Sequence, residues 1–94
     1  MSVGSFEAFT AAAHAEGFDE VVARTWEANQ ELPLHTHPFA VRATVIDGEM
    51  WLTVGEETRH LQPGDSFELD NEQAHAERYG PKGATYWVAR RHGH

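Results

Sequence analysis

Three histidines offer the most direct chemistry in this sequence. His35 and His37 flank Thr36, and because side chains alternate along an extended strand, that spacing puts both imidazoles on one side of it. Neutral imidazole ligates zinc, iron, nickel and copper, so the pair supplies two adjacent coordination positions. Pro38 disfavours helical geometry at His37 and holds it extended. A surface or packing role suits the same two residues, and the pair alone does not separate the readings. His75 becomes a third ligand if the chain returns beside the first two; otherwise it is a histidine ending a hydrogen-bonded strand. Three imidazoles around one divalent ion leave a position open for water or substrate.

The elements that must position these side chains are short. Ser5 to Glu16, SFEAFTAAAHAE, combines good helix formers with Phe6 and Phe9 three apart, a Ser5 or Ser2 cap, and Gly17 as a stop. The phenylalanines are expected across an open end or outer face of a strand-built body. From Glu20 the pattern changes to runs rich in valine, threonine and aromatics. Strands are predicted over Glu20–Ala28, Phe39–Ile46, Met50–Val54, Thr58–Leu61, Ser66–Leu69, His75–Tyr79 and Thr85–Arg90. Asp47-Gly48 predicts a two-residue hairpin, since both residues tolerate positive φ. Gln62-Pro63-Gly64-Asp65 predicts a type II turn and Gly80-Pro81-Lys82-Gly83 another turn. Short strands without long alternating helices indicate an all-β fold, and closure into a barrel or double-sheet roll removes exposed edges.

The chain of 94 residues suits one domain over 18–94 preceded by a helical segment over 1–17, because so short a chain fills one core but hardly two. A homodimer that covers strand edges is expected. The formal net charge of -8 repels phosphate backbones and anionic lipid, so neither nucleic acid nor membrane is an expected partner. Absence of cysteine excludes disulfides, thiolate metal sites and thiol catalysis. Met1 to Thr10 carries no basic, apolar export signal and no run approaches the length of a membrane span, which leaves the cytoplasm as the expected compartment.

With these motifs in place the sequence resembles the small cupin family over roughly Val21 to Arg90. The family's first motif runs glycine, five residues, HxH, three or four residues, glutamate, six residues, glycine. Here Asn29 stands at the first glycine, His35 and His37 match the histidines, and Gly48 lies within one residue of the closing glycine. In the second motif Gly64 opens within a PGD turn and His75 matches the histidine, while Asp70, Glu72 and Tyr79 replace the family's proline, glycine and asparagine. The resemblance implies a double-stranded β-helix, or jelly-roll barrel, that holds one divalent metal ion per chain (Fe, Mn, Ni or Zn) through His35, His37 and His75.

The family's usual carboxylate ligand falls at Arg42, whose guanidinium has donors only and stays positive. Arg42 therefore cannot ligate a metal, and if it points inward it calls for a neutralising carboxylate. Glu77, two residues after His75 and so on the same strand face, is the candidate. It ligates the metal, acts as acid or base, pairs with Arg42, or faces solvent. Two functions are open on this basis. One is a metal-dependent enzyme on a small oxygenated or carboxylated molecule, with Arg42 and Glu77 catalytic, of dioxygenase type first and isomerase or lyase type second. The other is a non-catalytic small-anion-binding or sensory barrel centred on Arg42.

Phe39, Met50, Phe67 and Tyr79 are candidates for an apolar and aromatic substrate pocket, although core filling selects the same residue types. Trp51 is assigned to packing, a ligand mouth or a dimer contact. Tyr86 and Trp87 face opposite ways on a regular strand, so at most one enters the cavity. His60 is expected on an outer face, His14 on the helix surface, and His92 and His94 as adventitious tail ligands. No phosphate loop, dinucleotide fingerprint, serine elbow or HExxH motif occurs.

Overall fold

Alternation and turn chemistry produce one helix and six strands in residues 5–92, the part of the chain described by this computed structural model. Helix α1 (Phe6–Ala15) is capped by Ser5, whose Oγ accepts from the Ala8 N–H at 3.0 Å, and the chain leaves it at Gly17 with φ +94°. Phe6 and Phe9 lie on Trp87, with ring centroids 5.5 and 5.9 Å apart. Ala13 and Phe18 bury Ala89, so the helix covers an outer sheet face, as its phenylalanine spacing predicts.

The strands are β1 (Glu20–Trp26), β2 (Glu31–His35), β3 (Phe39–Val54), β4 (Glu57–Leu61), β5 (Ser66–Leu69) and β6 (His75–His92). The long strands β3 and β6 are each shared by two antiparallel layers. In one layer β1 pairs with the second half of β6, which pairs with the first half of β3, which pairs with β5. In the other, β2 pairs with the start of β6, which pairs with the end of β3, which pairs with β4. Inward-facing Val41, Ala43 and Val45 from the first layer meet Met50, Leu52 and Leu61 from the second in one core. The result is a jelly-roll barrel, the all-β architecture expected from the sequence.

Three expectations about chain path need correction. Asp47-Gly48 does not reverse the chain: β3 runs through it, and the pairing with β6 slips between Val45 and Asp47. The positive φ of Gly48, +75°, serves a bulge that bends β3 from one layer into the other. Gly80–Gly83 likewise lies inside β6 as an excursion opposite Glu49, with the Asn29 N–H donating to the Gly80 carbonyl at 2.9 Å. A β-carbon on Gly83 would sit 2.2 Å from the Trp26 carbonyl oxygen, and one on Gly48 2.1 Å from that of Gly83; close backbone approach, not reversal, requires these glycines. Strand β2 is unpredicted because Pro33 interrupts a short run; Pro33 is tolerated there because β2 pairs on one side only. By contrast, the Gln62–Asp65 turn forms as expected, with φ +97° at Gly64 and the Asp65 N–H donating to the Gln62 carbonyl at 2.9 Å.

Candidate metal centre

The pairing of β2 with β6 sets His35, the last residue of β2, directly across from His75, the first of β6. A register shift between Leu32 and His35 turns the Pro33 carbonyl toward the His35 ring, where it accepts from Nδ1 at 2.7 Å. Nδ1 of His75 donates to the Gln73 carbonyl at 2.9 Å. Because a carbonyl can only accept, each imidazole commits its Nδ1 proton there and directs Nε2 toward the interior. His37 lies just past β2. Its ring stacks on Phe39 at 4.9 Å, and its own carbonyl accepts from the Glu72 N–H at 2.8 Å.

The three rings converge, with centroids 4.3 Å apart for His35 and His75, 4.8 Å for His35 and His37, and 5.0 Å for His37 and His75. Glu77, on the same face of β6 as His75, completes the group: its Oε2 is 3.5 Å from Nε2 of His35 and 3.5 Å from Nε2 of His75. One ligand atom from each of the four residues lies within 4.8 Å of all the others. With Nδ1 committed, each ring in its neutral form offers the Nε2 lone pair as a metal ligand, and a cation between these and the carboxylate oxygen satisfies all three. Ligands about 2.1 Å from a common centre in tetrahedral array are about 3.4 Å apart, close to the separations seen here. The donor set therefore fits a divalent ion.

Burial first, then the neighbouring His75 and His35 and the cations Arg90 and Arg24, depress the His37 pKa to about 4, so this ring is neutral at neutral pH and available as a ligand. The Tyr79 hydroxyl donates to Oε1 of Glu77, both groups being buried. Burial also pushes the Tyr79 phenol well above its ordinary range, which keeps it a donor. One oxygen of Glu77 is thus engaged by Tyr79 and the other is turned to the histidines.

The group opens into a cavity of about 130 Å³. Phe39 and Phe67 line it with Val41, Leu69 and Val88. Met50 and Tyr79 do not; at 0% and 1% exposure they lie in the core behind the wall, where their alternation on β3 and β6 puts them beside each other in register. Arg42 is also displaced from its expected place. It projects from the face of β3 opposite to Val41, and its guanidinium pairs with the Glu16 carboxylate beyond the end of α1. The inward residue at that point of β3 is Val41, so the carboxylate of this centre comes from β6.

Two cations escaped notice in the sequence: Arg24 and Arg90 line the cavity, with Trp26 and Tyr86 beside them. Alternation carried the signal, since Val22, Arg24 and Trp26 share one face of β1, and Tyr86, Val88 and Arg90 one face of β6. Trp87 faces the helix instead. Trp51 lies on the outer sheet, stacked on His60 at 4.6 Å, and His60 reaches Glu49 at 2.6 Å. His14 is an exposed helix residue whose Nδ1 donates to the Phe18 carbonyl. His92 Nε2 donates to Glu20 at 3.0 Å; His94 lies outside the described residues. No helix among the described residues is long and apolar enough to cross a membrane.

Comparison with known proteins accords with this geometry. The cupin domain family model matches residues 24–88. No curated protein matches the sequence. Among solved structures the chain is similar to an RmlC-like cupin from Shewanella frigidimarina, with 22% identity and a TM-score of 0.69 over 79% of this chain and 66% of the other. It is similar to KdgF from Halomonas sp., with 19% identity and a TM-score of 0.66 over 78% of this chain and 68% of that one. A third similarity is to a chain from the crystal structures of the DMSP lyases RdDddP and RnDddQII, with 18% identity and a TM-score of 0.70; it covers 76% of this chain but 37% of the other.

Proposed function

The chain belongs to the cupin family, and from that premise we propose a metal-dependent enzyme acting on a small oxygenated or carboxylated molecule, with His35, His37, His75 and Glu77 holding one divalent ion. The observation that carries this reading is the pair of Nε2 atoms, of His35 and His75, each 3.5 Å from the same oxygen of Glu77 while both Nδ1 atoms are tied to carbonyls. Imidazole and carboxylate together suit iron, manganese, nickel and zinc. Such an ion, when bound, polarises a substrate oxygen or activates water.

The chain's own groups supply the rest. Phe39, Phe67, Leu69 and Val88 limit water in the cavity, and Tyr79 orients Glu77. With Oε1 held by Tyr79 and Oε2 turned to the histidines, Glu77 is a ligand rather than the proton-transfer group. Of the two enzymatic classes open from the sequence, likeness to a structure of DMSP lyases favours isomerisation or elimination over dioxygenation. The anion-receptor reading built on Arg42 loses its ground, since that guanidinium pairs with Glu16 away from the cavity.

Metal content by elemental mass spectrometry on the full chain, after loading with zinc, manganese or iron and gel filtration, tests the proposal beside the H35A/H37A variant. About one equivalent lost in the variant is expected; no retained metal in the wild type overturns it. Conversion of a substrate under strict anoxia would separate the non-oxidative class from the dioxygenase class.

A further inference from the structure

We infer that Arg24 and Arg90 form an anion subsite in the cavity, which takes the carboxylate of a short 2-oxo or 2-hydroxy acid whose second oxygen faces the histidine and glutamate group. The inference rests on the proposed metal centre and names the class of molecule that centre would receive.

Both guanidiniums line the same cavity as the four ligand residues, and both are half-buried. Arg24 lies 4.7 Å from the centre of the Trp26 ring and enters no ion pair among the described residues. Arg90 lies 5.2 Å from the Phe39 ring, with Nη1 taken by Glu20 at 3.2 Å. A guanidinium has five N–H donors, so each side chain retains donors for a ligand. Glu20 offsets Arg90 and Glu77 offsets Arg24, so the lining is close to neutral before an ion binds, in a chain of net charge -8. A bound divalent ion makes it positive, and an anionic ligand is what balances it.

Size and wall chemistry narrow the anion. At about 130 Å³ the cavity falls below the roughly 300–1,000 Å³ of pockets for drug-sized ligands, which suits a short acid. Buried Val41, Phe67, Leu69 and Val88 form the apolar part of the lining, suited to a short hydrocarbon end.

The test uses pyruvate as probe and hydroxyacetone as its uncharged counterpart. Isothermal titration of each into the zinc-loaded full chain is compared for the wild type, R24Q, R90Q and the double variant, while chelator competition measures zinc affinity in parallel. Pyruvate is expected to bind the wild type and to weaken about tenfold or more in R24Q, with R24K intermediate because it keeps the charge but loses the planar fork. Zinc affinity should stay equal or rise in R24Q, which also shows that the variant folds. Hydroxyacetone binding should not respond to the arginines. Equal pyruvate affinity in the wild type and the double variant, or no pyruvate binding at millimolar concentration with zinc in place, overturns the subsite and leaves the metal centre standing. Failure of the wild type to hold zinc overturns both.

Discussion

The phenol of Tyr79 donates to Oε1 of Glu77 inside the core, and Oε2 of the same carboxylate faces His35 and His75. A residue with no place in the cavity wall thus sets the direction of one that has. Replacing Tyr79 with phenylalanine preserves ring volume and its stacking on Trp26, 5.1 Å away, and removes the hydrogen bond alone. Outer partners of metal ligands typically contribute about 10- to 100-fold in metal affinity. The Y79F variant is therefore expected to lose zinc affinity within that range, and E77Q to lose more. Chelator competition provides the measurement; wild-type affinity in Y79F would reduce Tyr79 to packing.

Metal-free protein should lose stability on mild acidification. The folded-state pKa of His37 is about 4, against about 6.5 in an unfolded chain. Between those values the unfolded state holds a proton that the folded state lacks, so the contribution is complete above pH 6.5 and declines as pH falls toward 4. Urea unfolding in EDTA at pH 7 and pH 5 should show this decline in the wild type and a shallower one in H37Q. Identical slopes in the two proteins would contradict the assignment.

Arg42 should be dispensable for the site. Its side chain and that of Glu16 are 34% and 48% exposed, and exposed ion pairs contribute about 0–1 kcal/mol. The R42A variant is expected to change unfolding free energy by less than about 1 kcal/mol and to leave zinc affinity unaltered. A marked fall in zinc affinity would return Arg42 to the centre.

Glycine substitutions should separate crowding from backbone strain. Gly55→Ala meets nothing within 4 Å and carries only the strain of φ +61°, an expected cost of about 1–2 kcal/mol. Gly83→Ala adds to a similar φ a β-carbon 2.2 Å from the Trp26 carbonyl oxygen, and about 3 kcal/mol or more is expected. Urea denaturation of both variants checks the order; equal costs would mean that β1 yields to the intrusion.

Local patterns carried much of this structure. The spacing of His35 and His37, the recurrence of His75 and the placement of Glu77 on its strand face were legible because period-two alternation needs no knowledge of partners. The path at Gly48 and Gly80–Gly83 was not, because positive φ and close backbone approach serve bulges and turns alike, and only strand pairing tells them apart. Arg42 misled for a related reason. A gap of four rather than three residues after His37 moves a position from the inside of β3 to the outside, and the inward neighbour is Val41. Arg24 and Arg90 were hidden in plain alternation: the two faces of β1 and β6 could be told apart, but which face closes over the histidines depends on pairing between residues more than sixty apart, as in Arg24 opposite Tyr86.

The bends that shape the barrel have a bearing on how its chemistry can change. One peptide segment, β6, carries His75 and Glu77 before the Gly80–Gly83 excursion and Tyr86, Val88 and Arg90 after it. Their relative orientation is held where main chain meets main chain, at Gly83 against Trp26 and at Gly48 against Gly83, and none of these contacts uses a side chain of the cavity. The frame and the lining are separately specified. Side chains facing the substrate can be exchanged for new specificities while the ligand group keeps its shape, and selection on the one leaves the other intact.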